Sequence, residues 1–338
     1  LIFGWALLLL CTFSCKEDLI EMNINPNGAS PESANPNLVL STVLTEAGKT
    51  VLNLGYQDIA GVMQHTQKDG WSGSHNSYDW NRSNSWSGYY AILRNNQFVY
   101  DRAVELDQEL HQGVTLVIRG MMFGLQLLSQ PKGSYNSSIE GADVYFGGNP
   151  EKWRKMANSL KLRFYMRLSE KLPDFAKQGI ETILADPGTY PIITSTGDDA
   201  TMSFNTESEA SSWPKNTKFD VDASNYRRLK MCQTLVEAMR VNNDISQNPD
   251  YVGIPPGIAG SHVYNLSPDA NQASFNPHVS WLNDRYREPN GPLLKARLIT
   301  ATEVNFILAE AALKGWAVGG TAEEYYNNAI QASFTTWG

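Results

Sequence analysis

The stretch ATEVNFILAEAALKGW, residues 301–316, reads as one helix, and AEEYYNNAIQASF, residues 322–334, reads as its partner. Thr300 and Glu303 form a capping box ahead of Val304, Ile307, Leu308, Ala311 and Ala312, which fall on one face at helical spacing. Thr321 and Glu324 open the second helix in the same way, and the two are joined by Gly315 to Gly320. Ala322, Tyr326 and Ala329 keep the small-aromatic-small spacing of the second helix of a tetratricopeptide unit.

Working outward, Asn149 caps and Pro150 opens a further helix whose Trp153, Met156, Ala157, Leu160, Phe164 and Leu168 share a face. Lys152, Arg154, Arg163, Arg167 and Lys171 lie largely off that stripe and are expected on its solvated side. Apolar residues recur at helical spacing from Leu38 on, and helical pairs are predicted around 38–66 with 86–110 and 113–128 with 151–171. The expected fold is all-α: a tetratricopeptide-like helix-pair scaffold with long irregular insertions at 67–85, 129–149, 187–225 and 243–299. Insertions of that length are more often functional than accidental.

The chain has 338 residues, 42% of them hydrophobic, enough to bury a sizeable core. Its formal charge of -8 argues against nucleic acid as a partner, because phosphate backbones are held by clustered cations. LIFGWALLLLCTF, residues 1–13, is apolar throughout, too short to span a bilayer as a helix, and suited to the hydrophobic region of a secretory signal. Ser14 directly before Cys15 matches a bacterial lipoprotein cleavage site, although Thr12 and Phe13 are looser than usual. The expected organisation is a signal peptide over 1–14, a lipid anchor and linker over 15–37, and a ligand-binding domain over 38–338. Cys11 then leaves with the signal and Cys15 is acylated, so no disulfide framework follows from the cysteines.

These residues together carry a resemblance. A lipoprotein cysteine, NINPN, WRKMANSLKLRFYMRLSEK (153–171), ATEVNFILAEAALKGW and AEEYYNNAIQASF run in the order seen in the SusD/RagB family of outer-membrane nutrient-binding lipoproteins, which the chain resembles. The resemblance implies a helical fold on tetratricopeptide-like pairs and a lipid anchor at the outer membrane, facing the cell exterior. It also implies a SusC-type TonB-dependent channel as partner and an oligosaccharide or oligopeptide as ligand. Lys16-Glu17-Asp18 is similar to the export signal of such lipoproteins in the Bacteroidetes. Two departures stand out: TLVIRGMMFG (115–124) is followed by LQLLSQPKG rather than a GD-x-PY segment, and the chain stops at Gly338. The chain is therefore expected to be shortened internally and at its C-terminus relative to the family.

No HExxH, GxSxG, GxxxxGK[ST] or CxxC motif is present, and the histidines at 65, 75, 111, 262 and 278 have no metal-ligand spacing. The chain is thus expected to be non-catalytic, with no cofactor and no metal. Asp69, Asp79, Asp284 and Glu288 lie near aromatics, and a surface glycosidase would need two such carboxylates across a sugar, so that class stays as the lesser alternative. A purely structural helical adaptor is the other.

WSGSHNSYDWNRSNSWSGYY, residues 71–90, divides in two. Trp86, Tyr89, Tyr90 and Leu93 have helical spacing and are expected in the core. Trp71, Tyr78 and Trp80 precede them among Gly, Ser and Asn, where no apolar period accounts for them. Pyranose rings present C–H faces that stack on aromatics, while their hydroxyls seek amides and carboxylates. Trp71, Tyr78, Asp79 and Trp80 are therefore candidate ligand residues, as are Trp281, Asn283, Asp284, Arg285 and Tyr286 in SWLNDRYRE, residues 280–288. An exposed arc of aromatics would favour sugar, and a deep pocket with charged ends would favour peptide.

The lipid anchor gives a first test. Acyl chains contribute about 0.8 kcal/mol per buried CH₂, so two of them hold a protein firmly to a bilayer. Cys15→Ala in the exported precursor is expected to move the protein from the membrane fraction to the soluble one, and a variant that stays membrane-bound would sink the assignment.

Overall fold

A computed structural model describes residues 34–68, 87–120, 137–204, 229–242, 250–253, 280 and 293–337. Asn35 accepts from the Asn37 amide at 2.9 Å, and Pro36 has no amide to leave unsatisfied, so α1 (Pro36–Asn53) starts there. It continues through a π-helical turn, Leu54–Ile59, into a last α-helical turn, Ala60–Val62. After β1 (Thr66–Lys68) come α2 (Ser87–Glu105) and α3 (Glu109–Arg119), then α4 (Pro150–Leu168) and α5 (Pro173–Ala185). A 3-10 turn, Thr196–Asp198, leads into β2 (Ala200–Ser203). β3 (Leu229–Met231), α6 (Gln233–Val241), β4 (Lys295–Ile299), α7 (Ala301–Leu313) and α8 (Ala322–Trp337) complete the order. The described residues are mostly helical, and the two short antiparallel ribbons, β1 with β3 and β2 with β4, are additions to the all-α expectation.

Consecutive helices pair: α1 with α2, α2 with α3, α4 with α5, and α7 with α8. α4 also touches α3, α7 and β4, which puts it at the centre. The cap signals read at Asn149 and at Thr321 with Glu324 are those the chain uses. Asn149 accepts from the amides of Glu151 and Lys152 at 3.0 and 3.3 Å, and Thr321 and Glu324 bond reciprocally, backbone amide to side chain, at 2.8 and 3.1 Å. At the end of α7, Gly315 adopts φ +77°, and the amides of Gly315 and Trp316 close back on the carbonyls of Ala312 and Ala311.

Asp143 organises the core around α4. Its carboxylate is buried and accepts from the Tyr145, Phe146 and Gly148 amides at 2.9, 3.1 and 2.8 Å, and from Trp153 Nε1 at 2.8 Å. Trp153 is fully buried between the rings of Tyr145 and Phe146. Residues 137–149, expected as part of an irregular insertion, are thus a compact turn packed on the core.

Three helical faces differ from expectation. On α4, Phe164 and Leu168 are exposed, while Arg154 is buried and Arg163 half-buried. Arg163 grips both carboxylate oxygens of Glu303 and donates to the Leu298 carbonyl at 2.7 Å, joining α4 to β4 and α7. Glu303 is therefore committed to Arg163, and the structure gives only the Thr300 half of the expected capping box, 3.3 Å from the Glu303 amide. On α2, Tyr90 and Leu93 are exposed and Tyr89 half-buried, and the buried line is Asn96, Val99 and Ala103 instead; Trp86 lies outside the described residues. On α8, Tyr326 is exposed and rests edge-on against Phe306 of α7. α5 is a helix that the sequence pattern left unassigned.

Two titrating groups, Asp199 half-buried and His111 buried, act in opposite directions. Asp199 accepts from the Ala301 amide at 2.7 Å, and burial pushes its carboxyl up to about 6. His111 sits between Asn37 Oδ1 at 2.8 Å and Ser137 Oγ at 3.2 Å, and burial pushes its imidazole down to about 4. The Asn37 oxygen can only accept, so Nε2 carries the proton and Nδ1 accepts from Ser137.

Two tests follow from this packing. Asp143→Ala leaves four donors, two of them buried and two part-buried, without their acceptor and is expected to destabilise by about 3 kcal/mol or more, against about 1–2 for Trp153→Phe, in chemical denaturation. Equal effects would refute the clamp. The second is pH-dependent. Asp199 is raised above its ordinary 3.8, so the stability it contributes is full below that value and lost as pH rises through about 6. His111 is depressed below its ordinary 6.5, so its contribution is full above that value and lost as pH falls through about 4. From pH 4 to 7, thermal denaturation of Asp199→Asn is expected to gain on the parent, and His111→Asn to lose to it; parallel curves would contradict the assignment.

Candidate functional site

All nine candidate ligand residues, Trp71, Tyr78, Asp79, Trp80, Trp281, Asn283, Asp284, Arg285 and Tyr286, lie outside the described residues, as does Cys15. The structure does describe the backbone on which both aromatic segments begin. Residues 69–86 follow directly on β1, and Trp281 follows directly on Ser280.

β1 and β3 pair antiparallel, with Thr66 opposite Met231, Gln67 opposite Lys230 and Lys68 opposite Leu229. Below the ribbon, the Cys232 amide donates to the His65 carbonyl at 2.9 Å, and Thr234 Oγ1 donates to Gln64 Oε1 at 3.1 Å. Gln64 takes φ +57°, a conformation that strains a residue with a side chain and that persists here because neighbouring bonds fix it. Lys230 on β3 is fully buried, and so is Cys232, whose thiol burial pushes up to about 12, outside the range of reactive thiolates.

The second root meets the first through α6. The Ser280 amide donates to the Val252 carbonyl at 2.9 Å, and the Val252 amide donates to Ser280 Oγ at 2.9 Å. Gly253 lies on the start of α6 so closely that an added Cβ would stand 2.7 Å from Gln233 N and Cα and 2.9 Å from the Cys232 carbonyl carbon. Arg240 of α6 reaches the Tyr251 carbonyl. A continuous path of short contacts therefore runs from Ser280 through Val252, Gly253, Cys232 and His65 to β1. The residues that precede the two aromatic segments, some 200 residues apart in sequence, are thus linked in one joint.

Sequence reasoning nominated the aromatic segments but missed Gln64, Thr234, Gly253 and Ser280. The one signal available was Gly253 between Val252 and Ile254, a glycine between β-branched residues, which marks close backbone approach. Chemically the joint offers backbone and hydroxyl groups rather than an acid and base pair. Among the described residues no group of three or more His, Cys, Asp and Glu is placed to hold a metal ion. No helix among them is long and apolar enough to cross a membrane. Two other hollows are less suited. One, about 470 Å³, is an open face of α5 along Asp174, Lys177 and Glu181. The other, about 220 Å³, lies between β4 and α8, where Arg297 covers Trp337 at 4.3 Å and Glu303 is held by Arg163.

Comparison with known proteins agrees with the helical architecture. A SusD homologue from Bacteroides fragilis superposes with a TM-score of 0.65 at 20% identity, over 90% of this chain and 73% of that one. A chitin-binding SusD homologue from Flavobacterium johnsoniae gives 0.63 at 20% identity, over 88% and 69%. A further chitin-binding protein gives 0.68 at 17% identity, over 89% and 75%. No curated protein matches the chain. A family model described as "Starch-binding associating with outer membrane" matches residues 124–338, more than half of the chain, which belongs to the SusD-like family.

Proposed function

We propose that the protein captures a nutrient glycan at the outer-membrane surface, without cleaving it, and passes it to a SusC-type TonB-dependent channel. The observation that carries this reading is the joint: two segments rich in aromatic and amide side chains start from one small patch of a starch-binding family fold. Chitin-binding relatives with the same fold support a carbohydrate as the ligand class. Trp71, Tyr78, Asp79 and Trp80 from one segment, and Trp281, Asn283, Asp284, Arg285 and Tyr286 from the other, are the ligand residues of this reading, the rings stacking on sugar faces and the polar groups taking hydroxyls. Residues 1–14 are the signal peptide, Cys15 carries the lipid, the stretch to 37 is the tether, and 38–338 is the binding domain, exposed to the cell exterior.

The test is a titration of the soluble form against chitin oligosaccharides, starch oligosaccharides and a peptide panel. Binding to one of the glycans is expected, with no new reducing ends. Trp71→Ala and Trp80→Ala are expected to weaken it about tenfold, in line with the roughly 0.5–1.5 kcal/mol of a ring contact. Their unfolding free energies should stay within about 0.5 kcal/mol of the parent, as for other surface substitutions. Binding to peptides alone would overturn the glycan reading, and reducing ends that depend on Asp79 or Asp284 would overturn the non-catalytic one.

A further inference from the structure

We infer that Gly253 is a positioning residue, whose missing side chain lets residues 250–253 lie against the start of α6 and so holds the root of the Trp281 segment beside the root of the Trp71 segment. The groups an added Cβ would meet are all backbone, Gln233 N and Cα at 2.7 Å and the Cys232 carbonyl carbon at 2.9 Å. A flexible side chain could swing aside, but these atoms cannot, because Cys232 is bonded to His65 and its carbonyl accepts from the Val236 amide at 3.1 Å. A methyl group there has to push residues 250–253 away. Val252 is the residue that carries Ser280, through the two bonds of 2.9 Å, so the displacement passes directly to the residue before Trp281. Nothing comparable fixes Ser280 to α4, α7 or α8 among the described residues, so the helical scaffold does not feel the change.

For its consequence on ligand binding, the inference rests on the glycan reading; for the joint itself, it does not. The experiment compares Gly253→Ala and Gly253→Val with Gly141→Ala, where an added methyl meets nothing within 4 Å. Amide exchange at Val252 and Ser280 is expected to quicken by about tenfold or more in the Gly253 variants, while α7 and α8 keep their protection. Retention on immobilised chitin and starch is expected to fall by about tenfold with an unchanged melting temperature. Exchange equal to that of Gly141→Ala would overturn the inference, and so would faster exchange with glycan retention intact, since the joint would then be structural only. A parent protein that binds no glycan sinks the proposed function, and the exchange result alone then decides the inference.

Discussion

A polar side chain buried on a central helix has to find a partner, and α4 carries several. Arg154 donates to the carbonyls of Gly188 and Thr189, Asn158 to that of Pro191, and Ser159 Oγ accepts from the Ile193 amide. Arg163 takes Glu303 and the Leu298 carbonyl, and Trp153 takes Asp143. Leaving one such group unsatisfied costs about 1–3 kcal/mol, so these bonds specify more than they stabilise. Most of the partners are backbone groups of non-helical chain. α4 therefore dictates where the segments between the helices run, and residues 188–193 are drawn along its length.

That constraint divides the molecule. On one side, helices α1 to α5 with α7 and α8 pack on a shared apolar core reinforced by the α4 bonds and by the β2–β4 ribbon. On the other, the described residues join β1, β3 and α6 through ladder and loop hydrogen bonds, with Gln64 at positive φ and a glycine contact. The first is the kind of region that opens only with global unfolding, and the second is the kind from which binding segments are usually drawn. The residues that precede both aromatic segments belong to the second.

Much of the scaffold was legible because its signals are local. Asn149-Pro150, Thr300, and Thr321 with Glu324 announce helix starts within four residues, and the structure uses each of them. What failed depended on distant partners. Arg154 and Arg163 have the spacing of a solvated face, and it is partners more than 30 residues away, carbonyls for both and the Glu303 carboxylate for Arg163, that draw them inward. Tyr90 and Leu93 fit a stripe on α2, yet the neighbouring helices meet the line headed by Asn96, whose amide finds the Thr115 carbonyl. α5 starts after Leu172, which supplies no capping side chain, and three-residue strands are too short to show a period. The joint was invisible for the same reason: Gln64, Thr234, Gly253 and Ser280 gain their meaning from one another.

The joint has a physical logic in the proposed function. Each ring contact with a sugar contributes little, roughly 0.5–1.5 kcal/mol, and ordering a long side chain or loop on binding consumes a similar amount. A site assembled from two segments so far apart in sequence gains affinity only if their starting points are already fixed relative to each other. The bonds from Ser280 to Val252 and from Cys232 to His65, together with the packing of Gly253 on α6, supply that fixing at the cost of few residues. The aromatic segments themselves then remain open to change, since the bonds that fix their starting points are made by the residues before them. A scaffold whose loop roots are set by backbone bonds can in this way keep its fold while the ligand it receives is altered by substitution in the segments beyond.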